Sequence, residues 1–180
     1  RANPAFCKQG SDHPSAKLFP VEQSGRQLAV YEPKSEKYTF VDTCFSTHHL
    51  QFAEDANDTL WTSGGGQVVG WLDTKKFDET GDAAASQGWA PHVLDTNGNG
   101  KLDRWAEPDQ PPNDKWDTRV AAGFYAVMPN PVDGSIWGSV AFRYPGSLLR
   151  FDPNSMLSEI YHVPLPGFGV RGADIDRNGV

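Results

Sequence analysis

The feature that most constrains this chain is an internal repeat. Three segments share one pattern: LAVYEP at 28–33, VVGWLDT at 68–74 and SLLRFDP at 147–153. Each is an apolar run ending in an aromatic residue or leucine, then an acid, then proline or threonine. Each is followed by a polar turn and a second strand-like run: YTFVDT at 38–43, PHVLDT at 91–96 and IYHVPLP at 160–166. A second motif alternates with the first. HHLQFAEDANDTLWTS (48–63) and FYAVMPNPVDGSIWGS (124–139) each hold an apolar strand, a turn of Asp, Asn or Gly, and a strand carrying Trp61 or Trp137. RGADIDRNGV (171–180) begins the same unit again. One such unit cannot bury its apolar face alone, so copies must stack on one another.

The spacing identifies the stacked unit. Gly179 falls 45 positions after its counterpart Gly134, and Leu72 falls 41 after Tyr31. Both match the ~40–45 residues of a four-stranded propeller blade. Leu72 to Phe151 is 79 positions, about one blade too long. The excess falls in a stretch rich in Gly, Asp, Asn and Pro, so it reads as an insertion at a blade edge. The expected fold is all-β: a β-propeller of four-stranded blades, present as an incomplete fragment. Residues 1–26 read as an N-terminal extension and 27–180 as the partial propeller. Its blade parts are 27–43, 48–96, 119–166 and 171–180, with the insertion at about 80–118. Closing a ring takes at least about four blades. Further sequence, or another polypeptide, is therefore expected to complete it.

Composition agrees with many short strands. The 18 Gly and 14 Pro punctuate the chain at short intervals, as turns do. No window holds a 3.6-residue apolar period, and the best helix candidate, 82–87, is too short to stand alone. The net charge of −7 without a basic stripe argues against nucleic acid and anionic membrane surfaces as partners. No apolar run is long enough for a membrane span. The opening RANPAFCKQGSDHP has no signal-peptide core, and a mature secreted protein would look the same. Cys7 and Cys44 read either as one disulfide, which suits an oxidising compartment, or as two thiols. No CxxC motif supports a redox or zinc site.

The strand–turn–strand unit resembles the repeat of the virginiamycin B lyase (streptogramin lyase) family, a relative of NHL repeats. That unit reads roughly His-Gly-Ile-Ala-Val-Asp, a Gly turn and a Trp strand. RGADIDRNGV is the closest copy; HHLQFAEDANDTLW and FYAVMPNPVDGSIW carry longer turns. Phe-Asp-Pro at 151–153 is similar to the family's Ile-Asp-Pro strand. The resemblance covers about 27–79 and 119–180 and implies a propeller. The family's namesake opens a macrocyclic ester by elimination, with a histidine base and Mg2+. Its Glu/His metal positions find no match here, so the fold is carried over and the activity is not.

Two places are candidates for chemistry. DTNGNGKLD (95–103) resembles the first nine positions of an EF-hand or dockerin calcium loop. Asp95, Asn97 and Asn99 stand at positions 1, 3 and 5, with Gly100 at the sharp turn. Lys101 would offer its carbonyl, and Asp103 a direct or water-mediated contact. Position 12 is Ala106 rather than Glu, with Glu107 or Asp109 as substitutes in an irregular loop. A metal-free Asx/Gly turn is the alternative. DIDRNG (174–179) is better read as a hairpin turn than as a second calcium loop. The other place is the start of each blade's first strand, near a channel mouth, where His49, Phe124 and Arg171 occupy equivalent positions. They form a candidate ligand-binding ring with His48, and His49 is the one weak catalytic candidate. Neighbours in a strand face opposite ways, which argues against both histidines reaching one ligand. The bland alternative is a channel lining without chemistry. Trp61 and Trp137 read as packing between blades rather than as a sugar-binding platform; Trp89, Trp105 and Trp116 cluster in the insertion and read as packing it down, with stacking surface for a ligand as the alternative.

These features lead to a calcium-stabilised, extracytoplasmic (periplasmic or secreted) propeller that binds a small molecule or protein, or serves as a scaffold. The alternative is a streptogramin-lyase-like enzyme with a metal-assisted site at the channel mouth.

Overall fold

The computed structural model describes residues 1–25, 27–63 and 66–180. Residue 26, the expected end of the N-terminal extension, lies outside them. Among the described residues the chain is mostly β, with thirteen strands in three sheets and three short α-helices. None of these helices is long and apolar enough to cross a membrane. An N-terminal segment carrying α1 (Pro14–Leu18) precedes a hairpin of β1 (Leu28–Glu32) and β2 (Lys37–Val41). A four-stranded antiparallel meander follows: β3 (His49–Phe52), β4 (Leu60–Ser63), β5 (Val68–Leu72) and β6 (Gln87–Pro91).

Between β5 and β6 the chain makes α2 (Thr74–Thr80) and α3 (Ala83–Ser86). Their sequence signals are caps rather than apolar periodicity. Asp73 accepts from the Lys76 N–H at 2.9 Å, Asp82 accepts from the Ala85 N–H at 3.0 Å, and Gly81 ends α2 at φ +66°. These are an N-cap, a second N-cap and a left-handed stop. The strand that pairs with β5 is therefore 87–91, not the expected run 91–96. Residues 93–94 leave this sheet as β7 (Val93–Leu94).

The third sheet has a second meander at its heart: β10 (Met128–Pro129), β11 (Ile136–Val140), β12 (Ser147–Asp152) and β13 (Leu157–His162). Along β12, Ser147, Leu149 and Phe151 are buried while the residues between them are half-buried, the period of two expected of a strand. Outside β13 this sheet is extended by β7, then β9 (Asp117–Arg119), then β8 (Trp105–Ala106). The Gly/Asp/Asn-rich stretch is thus pinned to a sheet edge at Ser158–Leu94.

The two meanders pack face to face. Trp61, Val69 and Ala90 of the first share one core with Phe124, Ile136, Leu149 and Phe151 of the second. The first meander's other face packs on the hairpin, through Leu28 and Val41 against Leu60, Leu72 and Phe77. Close approach is set by glycine. A Cβ at Gly138 would lie 2.1 Å from the Phe124 ring. Gly138→Ala is expected to cost about 1–3 kcal/mol by overpacking. Urea unfolding checks this, and an unchanged midpoint would contradict the packing.

The N-terminal segment is tied to the first meander. Cys7 and Cys44 form a disulfide, which selects between the two readings left open by the sequence. Trp89, expected in the insertion, lies in β6 and is fully buried. Its indole N–H donates to the Phe19 carbonyl at 2.7 Å, and its ring stacks on His13 at 4.7 Å.

Candidate functional site

The starts of the two meanders are joined by a repeated hydrogen-bond pattern. The Ser63 carbonyl accepts from the His48 N–H, and the Ser139 carbonyl accepts from the Tyr125 N–H at 2.8 Å. Each serine then reaches the following unit: Ser63 Oγ donates to the Tyr125 carbonyl, and Ser139 Oγ donates to the Arg171 carbonyl at 3.0 Å. The equivalent positions are therefore His48, Tyr125 and Arg171. Phe124, expected in this ring, points the other way. It is buried on Gly138 and 4.6 Å from the His92 ring, because neighbours in an extended chain face opposite sides.

Tyr125 gathers the other residues. His48 and His49 lie 4.4 Å apart, and both meet the Tyr125 ring, at 5.2 and 4.9 Å. The two imidazoles share one surface because β3 begins only at His49 and the chain bends at His48. The strict alternation expected of a strand does not apply there. On the other side the Arg171 guanidinium lies 5.5 Å from the Tyr125 ring and 4.4 Å from that of Phe142. Tyr125 and Phe142 line a cleft of about 500 Å³ with Ala122, Val140 and Arg143. Phe142 is 78% exposed and adopts φ +63°, uncommon for a bulky residue. The patch thus combines two imidazoles, a phenol, an open aromatic face and a guanidinium, and these five side chains include no carboxylate. The Mg2+ implied by the resemblance finds no acidic ligand among them. A second cleft, of about 450 Å³, opens at the far end of β3, where Trp61 and Trp71 meet Pro129 and Pro153.

The loop 95–103 folds as its residue types require. Asp95 accepts from the N–H groups of Gly98, Asn99 and Gly100 at 2.7–3.1 Å. Asn97 accepts from Asn99, and Asn99 from Lys101, at 3.0 and 2.9 Å. These are successive Asx turns, with Gly98 and Gly100 at positive φ. Both Asn amides donate to the Asp103 carboxylate, at 3.3 and 2.7 Å. Lys101 is exposed. Glu107 is engaged elsewhere, with one oxygen held by Arg119 at 2.6 Å and the other by the Trp105 indole at 2.8 Å. A residue not singled out in the sequence, Asp117 at the start of β9, turns its carboxylate to this loop. Among the described residues, no three His, Cys, Asp or Glu side chains group as ligands of one ion.

No protein-family model, no curated protein and no solved structure matches this chain.

Proposed function

We propose that this chain is part of a β-propeller acting as a ligand-binding module, with the patch around Tyr125 as its binding surface. The observation that carries this reading is the paired serine bridge, in which Ser63 and Ser139 link each unit to the start of the next. Blades arranged around an axis bring the starts of their first strands together, the place that this reading gives to His48, Tyr125 and Arg171. The open apolar face of the hairpin also supports a ring continued there, by other sequence or by another chain. Tyr31, Tyr38 and Phe40 are exposed on it, and exposed apolar patches of this kind mark packing sites. The buried disulfide supports a periplasmic or secreted setting.

The patch suits a small anion with a flat apolar part. A guanidinium pairs with a carboxylate in a planar fork, and Tyr125 and Phe142 offer stacking faces. Benzoate and inorganic phosphate are the probes. Benzoate is expected to shift the ring signals of His48 and His49 in NMR spectra, and Arg171→Ala to weaken that binding about tenfold, the ~1.4 kcal/mol of a charged contact. No shift with either probe at tens of millimolar would sink the reading.

One observation favours a lyase-like elimination at the same place. The His48, His49 and Tyr125 rings are in mutual contact, so an imidazole and a phenol stand ready to take and return a proton. His49 is the base in that case. Turnover of a streptogramin-type cyclic ester, lost in His49→Ala, is its test; an inactive parent chain rules it out.

A further inference from the structure

We infer that Asp117 completes a calcium site with the 95–103 loop, supplying from a neighbouring strand the carboxylate that the loop lacks at its twelfth position. Asp117 is fully buried, and its Oδ1 has no hydrogen-bond partner. An orphaned buried carboxylate oxygen is costly, and this one sits against the loop. Its Oδ2 accepts from the Asp103 N–H at 3.3 Å. The charges of Asp95 and Asp103 act on this carboxyl. Asp117 thus stands beside the loop that carries Asp95 and Asp103. Arg104, the basic residue beside them in sequence, is spent on the face of Trp116 at 3.5 Å.

The topology explains why the twelfth position is Ala106. In an EF-hand the loop runs into a helix that returns a bidentate Glu. Here it runs into β8, which pairs in parallel with β9, setting Trp105 opposite Asp117. That pairing, with the Asp117 N–H donating to the Arg104 carbonyl at 3.0 Å, brings a carboxylate from outside the loop against its Asp103 end. Ala106 is buried in the sheet, and Glu107 belongs to Arg119. The donors are the carboxylates of Asp95, Asp103 and Asp117, the amide oxygens of Asn97 and Asn99, and the Lys101 carbonyl. Each amide oxygen already accepting one N–H retains a second lone pair. Six oxygens with three negative charges match Ca2+, which takes six to eight oxygens in flexible geometry, and not Mg2+, which holds its waters.

The site is independent of the Tyr125 patch. Its test is titration of the chelator-treated full chain with CaCl2 by calorimetry, with terbium luminescence sensitised by Trp105 and Trp116 as a second readout. One ion per chain is expected, with Ca2+ at least tenfold tighter than Mg2+. Asp117→Asn is expected to weaken it at least tenfold, and Asp109→Asn to leave it unchanged. Asp117→Ser, which keeps an acceptor for the Asp103 N–H, replaces the asparagine variant if that one does not fold. No uptake by the parent chain at millimolar Ca2+, or an Asp117 variant binding as tightly as the parent, overturns the inference.

Discussion

Replacing Cys7 by serine is expected to lower the unfolding free energy by roughly 4 kcal/mol, the loop-entropy value for a cross-link across about forty residues. The bond spans 37 positions. It joins the N-terminal segment to the turn that follows β2. Both sulfurs are fully buried in a cluster with Ala16, Phe45, Val68 and Trp89, so the serine hydroxyl adds a desolvation cost. The segment so anchored is also held by the Asn3 amide on the Cys44 carbonyl at 3.1 Å, by Ser24 Oγ on the Thr43 carbonyl at 3.2 Å and by the Arg1–Asp42 ion pair. α1 has five residues, far below the length at which an isolated helix persists in water. It stays in place through Ser15 Oγ, which accepts from the Trp89 N–H at 3.0 Å, and through the Phe19 carbonyl on the Trp89 indole. Loss of the cross-link should therefore loosen β6 at Trp89 as well as the terminus. Urea unfolding of the parent, Cys7→Ser, Cys44→Ser and the double variant checks this. The three variants should agree with one another and with the reduced parent. Midpoints within 1 kcal/mol of the oxidised parent would refute the role given to the bond.

The strands were legible where two faces differ in burial. SLLRFD at 147–152 alternates, and β12 occupies those residues. The Trp strands were legible too; Trp61 lies in the core between the two meanders, while Trp137 is half-buried and stacks on Tyr161 at 5.2 Å. β6 was not legible. QGWAP is buried on both faces, so it has no alternation, and its Gly and Pro read as turn signals. Gly88 is there because Trp71 packs against it; a Cβ would stand 2.3 Å from that ring. The helices α2 and α3 were hidden by shortness; their caps, Asp73, Gly81 and Asp82, are seen in the structure. At the candidate ring the difference is a single residue. A one-residue slip of register exchanges the faces of a strand, so Tyr125 faces the histidines and Phe124 the core. Asp117 was invisible because nothing local marks it. Its place beside the loop comes from the parallel pairing of β8 with β9, a contact that sequence spacing does not encode.

His92 should make the fold lose stability as pH falls from about 6.5 towards 4. Its ring is fully buried between Phe124 and Phe151, at 4.6 and 6.3 Å. Nδ1 meets Ser158 Oγ at 3.0 Å, and Nε2 has no hydrogen-bond partner. Burial lowers its pKa from 6.5 to about 4. The imidazole is thus neutral in the folded chain across this window, while the unfolded chain takes up a proton. The unfolded state binds more protons there, so stability rises with pH, is full above 6.5, and drains away on acidification. The whole swing is about 3 kcal/mol at 1.36 kcal/mol per unit. Asp117 acts in the opposite sense. Its folded pKa is raised, chiefly by burial, so its unfavourable charged form is relieved on acidification. Comparison with a non-titrating variant separates the two. His92→Gln should lower stability at neutral pH, since the aromatic packing is lost, yet flatten the dependence between pH 4 and 6.5. Denaturant unfolding of both proteins at pH 7, 5.5 and 4.5 is the measurement; parallel curves would mean that His92 titrates normally.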